Sequence, residues 1–134
     1  MDSTEKMNTP KRVQKVLDRL SRDGEEPVYA FPAIPQSYRD ESQMAFARIG
    51  IVEKANTWII LTRKRMLFVR VGLVKNYERS IPLESVTDVE YVDEYHNNTL
   101  KLKVGERAEQ IIFFEDVDGV KLYRYVKNKE WQNA

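Results

Sequence analysis

His96 is the only histidine in the chain, and there is no cysteine. A hydrolytic triad needs a base beside a nucleophile and a carboxylate to orient that base. His96 stands in Tyr95-His96-Asn97-Asn98, a run of turn formers expected at a hairpin tip, where water surrounds the ring and no cleft excludes it. The lack of cysteine removes disulfides, thiolate zinc sites and thiol nucleophiles, and fits a reducing compartment. Without thiolates and with one imidazole, only carboxylates remain as metal ligands, and no Asp-rich loop of calcium-binding spacing occurs. The closest acidic cluster, Glu115-Asp116-Asp118, lies where a helix begins, and capping and the helix dipole account for it. None of Gly24, Gly50, Gly72, Gly105 and Gly119 belongs to a phosphate-cradling loop, and Gly72 and Gly105 fall at strand ends as turn glycines. The residues therefore point away from an enzyme, and no cofactor, metal or small-molecule substrate is expected.

Two groups of residues are suited to binding. Arg63-Lys64-Arg65 form a basic turn, with Arg70, Lys75 and Arg79 on the neighbouring strands. If the hairpins align, several of these cations face one phosphate or anionic headgroup. Glu78 and Glu84 lie close in sequence and oppose that charge, and Arg65 has the alternative of bonding within the fold. The second group is the aromatic set Tyr77, Tyr95, Tyr123 and Trp131, residue types that anchor protein interfaces when exposed and pad a core when buried. The whole chain of 134 residues carries 22 Lys and Arg against 21 Asp and Glu, a net charge of +1. That balance lacks the basic footprint of a dedicated nucleic-acid binder, so nucleic acid is not the expected partner.

The elements that position these residues are legible in most of the chain. Thr9-Pro10 supplies an N-cap and a first-turn proline, and Val13, Val16, Leu17 and Leu20 then recur at helical spacing up to Asp23-Gly24. The opposite face carries Lys11, Arg12, Lys15, Arg19 and Arg22. This basic amphipathic helix suits either packing, on the domain or a second subunit, or an anionic membrane. The former is favoured, because the stripe holds no aromatic anchor.

Val28-Tyr29-Ala30-Phe31 is a short strand between prolines. Arg39 to Arg48 is read as a helical turn or two, and Ile49 to Glu53 as a strand. Thr57–Arg63 and Met66–Val71 form a hairpin about Lys64-Arg65, followed by strands at 77–81, 86–92, 99–104 and 108–114. In the fifth of these runs Leu100, Leu102 and Val104 alternate with polar residues, as in a sheet with one wet face. Asp116 to Trp131 changes to helical period, with Val117, Val120, Leu122, Tyr125 and Val126 on the apolar side.

Six or seven short strands and one closing helix form the order of a pleckstrin-homology-like (PH-like) barrel. The chain resembles a bacterial family of small PH-like domains. Leu61-Thr62-Arg63-Lys64-Arg65-Met66-Leu67-Phe68-Val69 is similar to that family's strand-turn-strand signature, and Ile81-Pro82-Leu83-Glu84-Ser85-Val86-Thr87-Asp88-Val89-Glu90-Tyr91 to its Ile-Pro-Leu strand entry. Leu100 to Phe114 and the helix after it match the remainder, so the likeness covers residue 57 to about residue 130. Gln36 to Lys54 is longer and more polar than the family pattern, and the N-terminal helix is additional. The basic signature of phosphoinositide binding has no counterpart, since Arg39 and Arg48 are accompanied by Asp40 and Glu41.

The resemblance implies a mainly β fold: a curled antiparallel sheet of about seven strands with a C-terminal helix (residues 27–134), preceded by an extension with an amphipathic helix (residues 1–26). It further implies a non-catalytic module that binds a protein partner or itself, through sheet edges or helix faces. The alternative is peripheral attachment to an anionic membrane. No apolar run approaches the ~20 residues of a membrane-spanning helix and no signal peptide is evident, so the expected location is the cytoplasm or the inner membrane surface.

Overall fold

The computed structural model describes residues 9–38, 57–72, 74–94 and 97–132. Helix α1 (Lys11–Arg22) is followed by strands β1 (Tyr29–Tyr38), β2 (Thr57–Leu61), β3 (Arg65–Val71), β4 (Asn76–Pro82), β5 (Asp88–Glu94), β6 (Asn97–Val104) and β7 (Arg107–Phe113), and helix α2 (Asp116–Lys127) closes the order. Short 3-10 turns stand at Leu83–Ser85 and Glu130–Gln132. The strands make one antiparallel seven-stranded sheet in the order β4-β3-β2-β1-β7-β6-β5.

Strand β1 lets that sheet curl. Its first half, Tyr29 to Ala33, pairs with β2, and its second half, Ala33 to Tyr38, pairs with β7, so Ala33 alone belongs to both ladders. Pro32 and Pro35 argue against a central strand in the sequence. Each sits in a stretch paired on one side only, where a missing N–H can face the unpaired side. The strand is consequently longer than the Val28–Phe31 run expected from sequence.

The curled sheet surrounds a core of Phe31, Ile59, Met66, Phe68, Ile111 and their neighbours, which α2 closes with Leu122, Tyr125 and Val126. A second cluster lies on the outer face. There Val13, Val16, Leu17 and Leu20 of α1 pack on Ile60, Leu67 and Val69. In β2 and β3 apolar residues run without alternation, as expected of strands covered on both faces. At ~1.5–3 kcal/mol for each buried aliphatic side chain, this second layer is a substantial part of the fold's stability.

Several boundaries differ from the sequence reading. Pro10 is the N-cap of α1, with no side-chain cap bond, so Thr9 does not hold that position. The helix stops at Gly24, whose φ of +82° is the left-handed conformation that favours glycine. Glu115 precedes α2 with no side-chain cap, and Asp116 and Asp118 act in the first turn, where their charge complements the dipole. The β2–β3 turn begins at Thr62, because the Thr62 hydroxyl accepts the backbone N–H of Lys64 (3.1 Å) and of Arg65 (3.2 Å) and so ends the strand early. Glu94 pairs with Asn97, and Tyr95 and His96, expected at a hairpin tip, lie outside the described residues. The helical and strand readings of 39–48 and 49–53 likewise fall outside them.

Candidate functional site

The β2–β3 turn, the 3-10 turn after β4 and the end of the chain meet at one place. The Leu83 N–H donates to the Lys64 carbonyl (3.0 Å), tying the two turns together. Tyr125 of α2 donates its hydroxyl to the Thr62 carbonyl (3.0 Å) and fixes the helix over the same turn. Burial holds that phenol above its ordinary pKa, so it stays a donor through the neutral range. Past α2 the chain turns at Lys129 (φ 50°) and delivers Trp131 beside the turn. The result is a cavity of about 390 Å3 lined by Arg63, Lys64, Arg65, Pro82, Glu84 and Trp131.

The three cations of the turn are not equivalent. Arg65 is committed inside the fold, its guanidinium donating from Nε and NH2 to the two carboxylate oxygens of Glu25 at 2.9 and 3.1 Å. Thr62 donates to the same carboxylate (2.7 Å). The Arg65 hydrogen bond, helped by Thr62, holds the Glu25 carboxyl below its usual pKa against the cost of burial. Arg63 and Lys64 are exposed, and among the described residues no carboxylate is hydrogen-bonded to either. The Trp131 indole N–H is buried and meets no acceptor among the described residues. A buried donor left unmade costs about 1–3 kcal/mol.

The remaining sequence candidates lie elsewhere. Arg70 and Lys75 stand at the far end of the β3–β4 hairpin, both over the Tyr77 ring at 4.9 and 5.5 Å from its centroid. Five strand residues, roughly 17 Å, separate Arg65 from Arg70, so the six cations do not face one ligand. Arg79 is occupied in the barrel mouth. It covers the Phe68 ring at 4.4 Å and pairs with Glu109 at 2.7 Å, whose side chain is only 3% exposed. Among the aromatics, Tyr77 is exposed, Tyr123 packs against the core beside Tyr91, and Trp131 both packs on the core and lines the cavity. Of the expected sites, the structure thus brings Arg63, Lys64, Arg65 and Trp131 together. Glu25, Pro82, Glu84 and Glu109 were not singled out as site residues, since only long-range contacts reveal them.

Superposition on solved structures fits this architecture. The N-terminal PH domain of Vps36 aligns with a TM-score of 0.58 at 15% identity, over 80% of this chain and 83% of that one. The fold is PH-like. Two Vav1 structures, one with an allosteric inhibitor that blocks GEF activity and one an apo activated truncation, align with TM-scores of 0.53 and 0.54 at 13% identity. They are covered over 34% and 33% of their length, against 90% of this PH-like chain in each case. The sequence matches no family model and no curated protein.

The apolar face of α1 and the Leu122, Tyr125 and Val126 side of α2 pack against the sheet of this PH-like fold, while Val117, expected on the same apolar side of α2, is exposed. Strands β4 and β5 are the sheet edges. Edge β4 exposes Tyr77, Glu78, Arg79 and Ser80, and charges at such positions discourage pairing with another strand. Among the described residues no helix is long and apolar enough to cross a membrane.

Proposed function

We propose that the chain is a non-catalytic binding domain that holds an acidic segment of a partner protein at the β2–β3 turn. The observation that carries this reading is the cavity in which Arg63 and Lys64, with no carboxylate bonded to them among the described residues, stand beside the Trp131 ring. Both cations present donors and no acceptor, and a carboxylate is acceptor-only when ionised. Arg65 and Glu25 make the floor rigid, so a ligand need not order it. A PH-like fold serves many functions, which is why the site and not the fold supports the reading.

Attachment of this turn to a membrane is less well supported. Among the described residues, none of the exposed large apolar side chains Val74, Tyr77, Phe114 and Val117 lines the cavity, so none of them would carry it into a bilayer.

The test is fluorescence anisotropy of a labelled poly-glutamate peptide titrated with the full chain at low and moderate salt. Saturable binding, weakened roughly tenfold or more by Arg63→Glu with Lys64→Glu, is the expected result. Binding unaffected by that double change, in a protein that melts like the parent, would refute the site. Light scattering on the same samples assigns the partner: a mass above one chain points to self-association, and a mass of one chain to a different protein.

A further inference from the structure

We infer that the groove between α1 and the β3–β4 turn is a second interaction surface, one that docks on an anionic lipid bilayer. It is separate from the β2–β3 turn, on the outer side of the sheet, and it depends on the additional N-terminal helix. The groove, of about 400 Å3, is lined by Arg12, Lys15, Arg19, Arg22 and Lys75 against a single carboxylate, Glu78. In a chain whose total charge is +1, this concentration leaves the rest of the molecule net negative. The groove is therefore a locally positive surface that attracts anions.

The five cations divide by role. Arg12 donates to the Gly72 carbonyl, and Arg19 grips Glu78 through two hydrogen bonds at 2.6 and 3.1 Å. These contacts clamp the helix to the β3–β4 hairpin. Among the described residues no carboxylate pairs with Lys15 or Arg22, and Lys75 lies over the Tyr77 ring. Residues 15 and 22 are two helical turns apart on one side of α1, about 10 Å. That separation is too wide for one phosphate and matches a surface of many headgroups.

The decisive companion is Val74. It stands at the tip of the β3–β4 turn with 92% of its surface exposed, and it lines the same groove. The turn holding it is tight. The Gly72 N–H donates to the Lys75 carbonyl (3.1 Å), and a Cβ on Gly72 would lie 2.3 Å from that carbonyl oxygen. Val74 thus stands beside a closed Gly72–Lys75 contact, flanked by the cations that line the groove. An aliphatic tip ringed by lysine and arginine suits the acyl boundary beneath anionic headgroups better than an acidic protein surface, which offers the tip no apolar medium.

The experiment is co-sedimentation of the full chain with vesicles of phosphatidylcholine alone and with added phosphatidylserine, at low and moderate salt. Binding is expected only to the phosphatidylserine vesicles and falls with salt. Each charge removed weakens it about fivefold, so Lys15→Gln, Arg22→Gln and Lys75→Gln together lower the partition roughly a hundredfold. Val74→Asp also weakens binding, with the melting temperature unchanged because the residue is already exposed. Arg63→Gln with Lys64→Gln leaves vesicle binding intact, which separates this surface from the proposed peptide site. Absence of binding to phosphatidylserine vesicles, or binding indifferent to the triple change or to Val74→Asp, would overturn the inference.

Discussion

Replacing Leu20 by alanine asks whether α1 belongs to the folded domain or merely precedes it. Leu20 is 2% exposed and belongs to the cluster in which α1 covers Ile60, Leu67 and Val69. A buried Leu→Ala change costs about 2–5 kcal/mol, through lost transfer energy and the cavity left behind. A domain of this size is stable by roughly 5–15 kcal/mol, so the loss is a large fraction of the total. With about 3–5 °C of melting temperature per kcal/mol at this length, the expected drop is on the order of 10 °C. Lys15→Ala, at an exposed position of the same helix, should stay within about 0.5 kcal/mol of the parent. The assay is thermal unfolding followed by far-UV circular dichroism and by tryptophan emission in a Trp131→Phe background, so that the signal is that of Trp58, which packs against the same outer cluster. Coincident transitions that shift together would place the helix inside the cooperative unit. A Leu20→Ala protein that melts within a degree or two of the parent, or loses helix signal well before the tryptophan transition, would refute the packing argument.

Two other outcomes follow from buried or partly buried charge. Arg65 hydrogen-bonds the Glu25 carboxylate and so holds its folded pKa below the ordinary carboxylate range. Such a depressed carboxylate contributes stability that is present above its unfolded pKa and lost as pH falls through the folded value. Glu25→Gln should accordingly cost about 1–2 kcal/mol in urea unfolding at neutral pH, and the difference should shrink in acid below about pH 4. In the barrel mouth the pair is asymmetric, because the Glu109 side chain is 3% exposed while that of Arg79 is 45% exposed. Arg79→Met should cost about 3 kcal/mol, by leaving a carboxylate buried without its partner. Glu109→Gln should cost less, since the arginine can turn to solvent, and equal losses in chemical denaturation would contradict that account.

How much of this was legible depended on the range of the interaction. Period-two alternation exposed β6, and helical spacing exposed the face of α1 that turned out to be buried. The uninterrupted apolar runs in β2 and β3 were also a signal, for only a strand covered on both faces reads that way. The prolines of β1 misled, because the strand changes partner at Ala33, and a change of partner leaves no local mark. The candidate site was half legible. Arg63 and Lys64 announced themselves as a basic turn and Trp131 as an interface aromatic. That they share a cavity depends on α2 folding back over Thr62, a contact 63 residues long in sequence. Nothing in residue type distinguished Arg65 from its neighbours, and only Glu25, 40 residues away, reveals that it is already spent. The same holds for Arg79 and Glu109, 30 residues apart.

The most direct test of the central claim uses Trp131 as its own reporter. With Trp58→Phe, a change checked first by its melting curve, Trp131 is the single remaining tryptophan. Titrating this protein with an acidic peptide should give a saturable change in indole emission as the peptide seats against the Trp131 ring that lines the cavity, and Arg63→Glu with Lys64→Glu should abolish it. An emission spectrum that stays constant while anisotropy reports peptide binding would place the ligand elsewhere and contradict the account.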